Sequence, residues 1–101
     1  QFVEAARYLA ESVLKVGGDD GSRFDLLARR LLARPFTAEE LPAVQSSQAE
    51  LMTYYQAHAE DAKQLIAVGE SKPDASLDPA ILAAWTMLTN ELMNLDEVLN
   101  K

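Results

Sequence analysis

Apolar side chains recur at helical spacing through most of this chain, and the last run is the longest. Residues 78–100 read DPAILAAWTMLTNELMNLDEVLN, in which large apolar residues follow one another at steps of four and three. Such steps line one face of an α-helix. Asp78 suits an N-cap and Pro79 suits the first helical position, so the pattern predicts a helix over 79–99. The predicted apolar face comprises Ile81, Trp85, Leu88, Leu92, Leu95 and Leu99.

Two shorter amphipathic runs come earlier in the chain. The first predicts a helix over 2–16 that ends at two glycines, because glycine adopts the left-handed conformation after a helix without a steric clash. The second predicts a helix over 22–34, with Ser22 as its N-cap and Pro35 as its stop. Two apolar helices joined by a short turn are expected to pack against each other. The pattern assigns four charged residues to the solvent side of the first helix, namely Glu4, Arg7, Glu11 and Lys15.

The stretch that follows Pro35 carries the sharpest local signal. Thr37 and Glu40 have the spacing of a capping box, in which each side chain accepts a hydrogen bond from the other residue's backbone N–H. Phe36 before the cap and Leu41 after it can form a hydrophobic staple. Pro42 comes one residue later, where the missing backbone donor is expected to bend or loosen the turn.

The apolar pattern then stays in phase to about residue 68, which would make a helix of about 30 residues, longer than is usual. We expect a break near 58–60, and so helices over 38–57 and 60–68, although one continuous helix stays open because no glycine or proline marks the break. Residues 69–76 have the composition of a loop. The pattern as a whole predicts one all-α domain over 1–101, a bundle of four or five helices.

Composition narrows the range of functions. The chain has 101 residues, of which 49% are apolar, and this is enough for one domain with its own core. It has no cysteine, which excludes thiolate metal sites, a cysteine nucleophile and covalent haem attachment in this segment. No apolar run approaches the roughly 20 residues of a membrane-spanning helix. Because the first residue is Gln1 rather than Met, we expect the chain to be a fragment of a larger multidomain protein.

The net charge of −7 is unevenly distributed. Residues 1–34 carry six basic and five acidic side chains, whereas residues 35–101 carry three basic and eleven acidic ones. Most of this acidic surface would repel a phosphate backbone, so no nucleic-acid partner is predicted. The arginines of the second predicted helix could contact an acidic partner or a carboxylated glycan, or form a solvated face that pairs with the acidic remainder of the chain.

Few residues could carry chemistry. His58 is the only histidine, and with Asp61 it supplies two ligands, too few for a metal site. Asp74, Ser76 and Asp78 are spaced like the first ligands of a calcium-binding loop, but the glycine and the glutamate that such a loop needs are absent. We find no nucleophile–base pair and no carboxylate dyad. The sequence therefore predicts no catalytic, cofactor-binding or metal-ligating residue, and whether the parent protein is an enzyme stays open.

Polar residues beside the last apolar face are the main candidates for an interaction surface. Thr86, Asn90 and Asn94 recur at steps of four, close to Glu97. They could bind a sugar or another helix, with Trp85 as a stacking platform, although exposure to water and a core position for Trp85 are the simpler explanations. The predicted interaction surface consists of Asn90, Asn94, Asp96, Glu97, Arg30 and Arg34.

Three stretches resemble a known family pattern. They read ARPFTAEEL at 33–41, QLIAVGESKPDASLDP at 64–79 and ILAAWTMLTNELMNLDE at 81–97. Together they resemble the C-terminal part of a planctomycete-type domain of unknown function, over roughly residues 20–100. The family commonly has Asp-Pro where this chain reads His-Ala-Glu at 58–60, which agrees with a helix that restarts there.

The resemblance implies where the parent protein is located and which domains accompany this one, but it assigns no chemistry to any residue of this chain. Proteins with this domain are large, are exported to the periplasm or the cell exterior, and pair it with a cytochrome-c-like domain of planctomycete type. Haem is expected only in that other domain, because this segment lacks a Cys-x-x-Cys-His motif, and no cofactor is expected here. The implied partners are the other domains of the parent protein, and the oligomeric state stays open.

Three functional hypotheses follow. The leading one is a helical structural or interaction module of a large exported protein that contains c-type haem. A second is a non-catalytic wall of an enzyme site, for polysaccharide or redox chemistry, that other domains complete. A third is a sugar-binding module built on Trp85 and the asparagines.

Overall fold

The chain folds into five α-helices within the parts that the structure, a computed structural model, describes. These parts are residues 2–16, 18–67 and 76–99, without the side chains of Phe2 and of 95–99. No strand occurs in these three ranges, so the predicted all-α fold of four or five helices is confirmed. The helices are α1 (Phe2–Val16), α2 (Asp20–Leu32), α3 (Glu40–Ala57), α4 (Ala59–Ile66) and α5 (Pro79–Leu99).

α5 is the helix on which the others pack. α1, α3 and α4 make their most extensive contacts with it, and α2 contacts it as well. Residues 82–86 have no exposed surface at all, so neighbouring helices enclose this part of α5 on every side. The predicted single apolar face is therefore too narrow here, because the small side chains of Ala83 and Ala84 and the hydroxyl of Thr86 are buried together with Trp85.

The start of α5 is capped as predicted. The Ile81 N–H donates to Asp78 Oδ2 at 3.1 Å, and the Leu82 N–H donates to the Asp78 carbonyl at 2.9 Å. Pro79 is the first helical residue, where its missing N–H leaves no acceptor unsatisfied. Asp78 therefore sets where α5 begins.

The turn between α1 and α2 uses a glycine in the left-handed region. α1 ends at Val16 as predicted, and Gly18 has a φ of 86°. A side chain at this position would be strained, and its Cβ would lie 3.3 Å from the Ser22 Cβ. Gly17, the other glycine of the predicted stop, lies outside the described residues.

α2 begins earlier than predicted because a different residue caps it. The Ser22 N–H donates to Asp19 Oδ1 at 2.9 Å, and this hydrogen bond lowers the pKa of Asp19. The prediction of Ser22 as the N-cap is wrong, since Asp19 is the residue with extended backbone just before the helix. At the other end α2 stops at Leu32 rather than at 34, because Ala33 is left-handed with a φ of 60° and its N–H bonds the Arg29 carbonyl.

The capping box predicted at the start of α3 is present. The Thr37 N–H donates to Glu40 Oε1 at 3.0 Å, and the Glu40 N–H donates to Thr37 Oγ1 at 3.1 Å. Regular helix begins at Glu40 rather than at Ala38, because Pro42 has no N–H with which to bond the Ala38 carbonyl. The helix then runs without interruption to Ala57, so Pro42 loosens the first turn and does not divide α3.

The predicted break between two helices is confirmed. His58 leaves the helical conformation, with a φ of −129° and a ψ of 66°, and its N–H donates to the Tyr55 carbonyl. The Ala62 N–H then bonds the His58 carbonyl and so starts α4, which covers Ala59–Ile66, one residue earlier than predicted. α4 ends at Ile66, two residues before the predicted end at 68, and Ala67 is its C-cap. Most of the predicted loop lies in 68–75, outside the described residues.

Arg7 is buried, although the sequence pattern placed it on the solvent side of α1. Only 1% of its surface is exposed, and Nη1 donates to the Ile66 carbonyl at 2.6 Å. Ile66 ends α4, where carbonyl oxygens lack helical partners and carry partial negative charge. Carboxylate oxygens of Glu4 and Glu11 lie 4.0 and 3.8 Å from the guanidinium. The prediction that Arg7 and Glu11 are exposed is wrong, because the end of α4 provides an acceptor there and both residues are buried.

We expect Arg7→Met to lower the free energy of unfolding by about 2–4 kcal/mol, because the Ile66 carbonyl loses a charged donor and two glutamates lose their cation. Urea unfolding followed by circular dichroism measures this loss. Arg29→Met is the matched control, because Arg29 pairs with Asp25 at 2.8 Å on an exposed surface, and it should cost less than about 1 kcal/mol. Equal losses in the two variants would contradict the structural role of Arg7.

The capping box also makes stability depend on pH. Two hydrogen bonds from Arg34, at 2.9 and 3.1 Å, and one from the Thr37 N–H lower the pKa of Glu40 to about 2. Because this pKa lies below the ordinary value of 4.5, the ionised carboxylate stabilises the fold above pH 4.5, and this stabilisation is lost as the pH falls towards 2.

We therefore expect the difference in Tm between the wild type and Glu40→Gln to be largest above pH 4.5 and to shrink as the pH approaches 2. Thermal melts at a series of pH values measure the difference. Glu39→Gln removes a neighbouring exposed carboxylate and serves as the control, for which no such trend is expected. A Glu40→Gln difference that stays constant over this pH range would refute the assignment.

Candidate interaction site between α3 and α5

A groove runs along the surface between α3 and α5. It consists of two hollows of about 280 and about 330 Å³. Ser47 and Glu91 line both hollows, so the two adjoin, and we call them together the α3/α5 groove. The remaining lining residues are Ala43, Val44, Leu88 and Leu92 in the first hollow and Glu50, Leu51 and Tyr54 in the second.

The helical register of α3 produces one side of the groove. Ala43, Ser47, Glu50 and Tyr54 follow one another at steps of four, three and four, which keeps them on one edge of the helix. Ala43 and Ser47 are small, so the first hollow reaches down to Val44, which is only 7% exposed. The depth of the groove therefore comes from two small side chains beside the core.

The other side of the groove is the part of α5 that is less enclosed. Leu88 is almost fully buried, Leu92 is half-buried and Glu91 is exposed. Glu91 is the only charged residue between Asp78 and Asp96. A single carboxylate therefore lies between two leucines in the stretch 79–95 of α5, which carries no other charge.

The two carboxylates of the groove repel each other. Although Glu91 is exposed as a residue, its carboxyl group is partly desolvated, which raises its pKa, and the negative charge of Glu50 raises the pKa further. Within the described residues, neither carboxylate forms an ion pair with a basic side chain. The groove therefore combines an apolar floor with negative charge that no cation of this part of the chain balances.

Tyr54 closes one end of the groove and is held by the break between α3 and α4. Its ring stacks on the His58 ring, with centroids 4.2 Å apart, and meets the edge of the Tyr55 ring at 5.1 Å. Its hydroxyl donates to Asp61 Oδ2 at 2.7 Å, and this hydrogen bond raises the pKa of Tyr54. Tyr54 is nevertheless 45% exposed, whereas Tyr55 is buried.

A separate hollow of about 400 Å³ lies where α3 and α4 meet the start of α5. Lys63 and Asp78 both line it, so side chains of opposite charge border the same space. It lacks the one-sided charge of the α3/α5 groove, and for this reason the groove is the stronger candidate site.

Trp85 belongs to the core, as its position among aliphatic residues predicts. It has no exposed surface, and its ring lies 4.9 Å from that of Phe24, centroid to centroid. A sugar needs an accessible aromatic face on which to stack, and Trp85 offers none in this fold. Thr86, the first of the three polar residues that recur at steps of four along α5, is fully buried as well.

The six residues of the predicted interaction surface have different surroundings. Asn90 is half-buried and Asn94 is exposed, one helical turn beyond Glu91. Arg30 Nη1 donates to Ser12 Oγ at 2.8 Å, whereas Arg34 pairs with Glu40 as described above. The two arginines therefore take part in different contacts, and the surface stays a prediction. The side chains of Asp96 and Glu97 lie outside the described part of the chain.

The residues considered for metal binding have other roles where the structure describes them. His58 Nδ1 lies 2.8 Å from the Tyr54 carbonyl, and Asp61 accepts the Tyr54 hydroxyl. Asp78 caps α5, while Asp74 lies outside the described residues. Among the described residues no three His, Asp or Glu side chains are grouped closely enough to hold a metal ion.

Sequence reasoning missed the groove because its two sides come from helices that are far apart in the chain. One signal was available, since an isolated glutamate in a long apolar stretch of a helix is unusual. Glu91 carries that signal, with Leu88 and Leu92 as its neighbours on the helix. Nothing in the sequence pairs Glu91 with Glu50, because the two line one hollow only after α3 and α5 pack.

No family model, curated protein or solved structure matches this chain. The resemblance to the planctomycete-type domain therefore stays a prediction. In the described ranges, no helix combines the length and the apolar character that crossing a membrane requires.

We expect Glu50→Gln to lower the pKa of Glu91, because the ionised carboxylate is no longer opposed by a neighbouring charge. The pKa should stay above the ordinary value of 4.5, since the partial burial remains. NMR titration of the Glu91 carboxyl carbon measures the change. Glu60→Gln removes an exposed carboxylate from α4 and should leave the titration of Glu91 as it is. If Glu91 titrates identically in the wild type and in Glu50→Gln, the two carboxylates do not interact.

Proposed function

We propose that this chain is a helical interaction module that binds a protein segment in the α3/α5 groove. The partner in this proposal is another domain of the same large exported protein, which also carries a c-type-haem domain. The resemblance of 33–41, 64–79 and 81–97 to the planctomycete-type domain supports the choice of parent.

The α3/α5 groove is the observation that carries this proposal. Its floor includes Val44, Leu51 and Leu88, which belong to the core or pack against it, so an apolar side chain placed there would extend a surface that is already packed. Concave apolar surfaces that stay open to solvent are typical of binding sites. The volumes of the two hollows, about 280 and 330 Å³, suit a few side chains of a peptide segment.

The absence of cysteine from the sequence allows a direct test of whether the groove is covered. Ser47→Cys places a thiol in the groove, and Ala49→Cys places one on α3 about 200° around the helix axis, at an exposed position. Each variant is made both in the full-length parent protein and in this 101-residue chain, once the chain is shown to unfold cooperatively on heating. The rate of thiol alkylation is then measured at each site by peptide mass spectrometry.

We expect the Ser47→Cys thiol to react at least tenfold more slowly in the full-length protein than in the isolated chain, because the docked segment excludes the reagent. The Ala49→Cys thiol should react at the same rate in both. Equal reactivity of the Ser47→Cys thiol in the two contexts would refute docking at this groove.

A further inference from the structure

We infer that the segment bound in the α3/α5 groove is a basic amphipathic helix, with an apolar side chain in the first hollow and a Lys or Arg between Glu50 and Glu91 in the second. This step rests on the proposed function, and it adds the chemistry of the partner. The choice of a basic amphipathic helix follows from the order of apolar and charged groups along the groove.

The first hollow selects an apolar side chain. Four of its six lining residues are apolar, with Val44, Leu88 and Leu92 as the larger ones and Ala43 as the smallest. Burying an aliphatic side chain here removes apolar surface of both partners from water. A polar group would lose its hydration without finding a donor or acceptor among these three side chains.

The second hollow selects a cation. Glu50 and Glu91 both line it, and their mutual repulsion is already present in the free chain. A guanidinium or ammonium between them would exchange a like-charge contact for two attractive ones. The exposed aromatic ring of Tyr54 lines the same hollow and can add a cation–π contact.

The spacing of the two hollows fits a helix. The positions of α3 that line the groove extend from Ala43 to Tyr54, and these eleven residue steps correspond to about 16 Å of helix. Ser47 and Glu91 line both hollows, so the apolar and the cationic side chains of the partner lie close together. Side chains three or four residues apart on a helix are neighbours on the same face, so one helix can present both side chains to the two adjoining hollows. A helix in the channel between two packed helices is a common mode of peptide recognition.

The charge of the groove also decides against other occupants. A nucleic acid or an anionic membrane surface would be repelled by Glu50 and Glu91, and so would an acidic peptide. A second copy of this chain is the remaining alternative, because α2 carries exposed arginines, and the test below includes it as an outcome.

The experiment uses three helical peptides of 14 residues that share the same leucines at helical spacing and carry Lys, Gln or Glu at the other positions. Each is titrated into the ¹⁵N-labelled chain, and chemical-shift changes report both the affinity and the site. We expect the Lys peptide to bind at least tenfold more tightly than the Gln peptide, with the largest changes at 43–54 and 88–92. The Glu peptide should not bind. Added salt should weaken the Lys peptide selectively.

The matched variants remove two carboxylates each. Glu50→Gln combined with Glu91→Gln should abolish the preference for the Lys peptide, while Glu39→Gln combined with Glu60→Gln, at exposed positions outside the groove, should keep it. Relief of the repulsion leaves no reason for the first variant to unfold, and its ¹⁵N spectrum checks that it is folded.

Each other result overturns the inference in a recognisable way. If the Lys and Gln peptides bind equally, or neither binds, the groove does not select a basic helix. If the Lys peptide shifts residues outside 43–54 and 88–92, the site is elsewhere. If sedimentation shows a dimer that Glu50→Gln with Glu91→Gln dissociates, the occupant is a second copy. In all three cases protection of the Ser47→Cys thiol in the full-length protein still decides separately whether the groove is an interface.

Discussion

The burial of α5 on every side is the constraint on which the rest of the structure depends. Residues 82–86 have no exposed surface, so the other helices must surround α5 rather than cover one face of it. This enclosure weakens along the helix, where Leu92 is half-buried and Glu91 is exposed. The α3/α5 groove lies where the enclosure weakens. One helix thus provides the centre of the core and, about two turns later, one wall of the candidate site.

Arg7 shows how this packing arranges charge as well as apolar surface. A buried guanidinium is costly unless acceptors surround it, and here the Ile66 carbonyl, Glu4 and Glu11 do so. The carbonyl belongs to the end of α4, so its hydrogen bond with the Arg7 guanidinium favours one arrangement of α1 relative to α4. A shift of α1 by one turn would move the cation away from that carbonyl. Apolar side chains alone would tolerate such a shift more easily.

Local signals were enough to predict most helices from the sequence, and their failures have local causes. Thr37 with Glu40, and Asp78, cap the helices that the sequence assigns to them because capping depends on neighbours within three residues. The prediction of Ser22 as the N-cap of α2 was wrong because Asp19, three residues earlier, belongs to a residue type that caps equally well. The break before α4 followed from helix length alone, since the sequence contains no residue that forces it.

The candidate site could not be predicted in the same way, because packing creates it. Arg7 and Glu11 lie in the polar positions of an amphipathic pattern, yet both are buried in the fold, where Arg7 reaches the end of α4. Glu50 is likewise an ordinary surface residue until α5 brings Glu91 beside it. Sequence patterns report which face of a helix is apolar, but they do not report which other element covers its edge.

The arrangement of Glu50 and Glu91 differs from that of several other acidic side chains of the described residues. Asp19 caps a helix, and Asp25 and Glu40 face arginines. At the groove two carboxylates oppose each other beside apolar surface, and this arrangement costs stability in the free chain. Violations of local consistency in an otherwise consistent fold are expected at functional sites. A cation supplied from outside would turn the same two charges from a cost into an attraction, and this makes the groove better suited to a bound state than to the free chain.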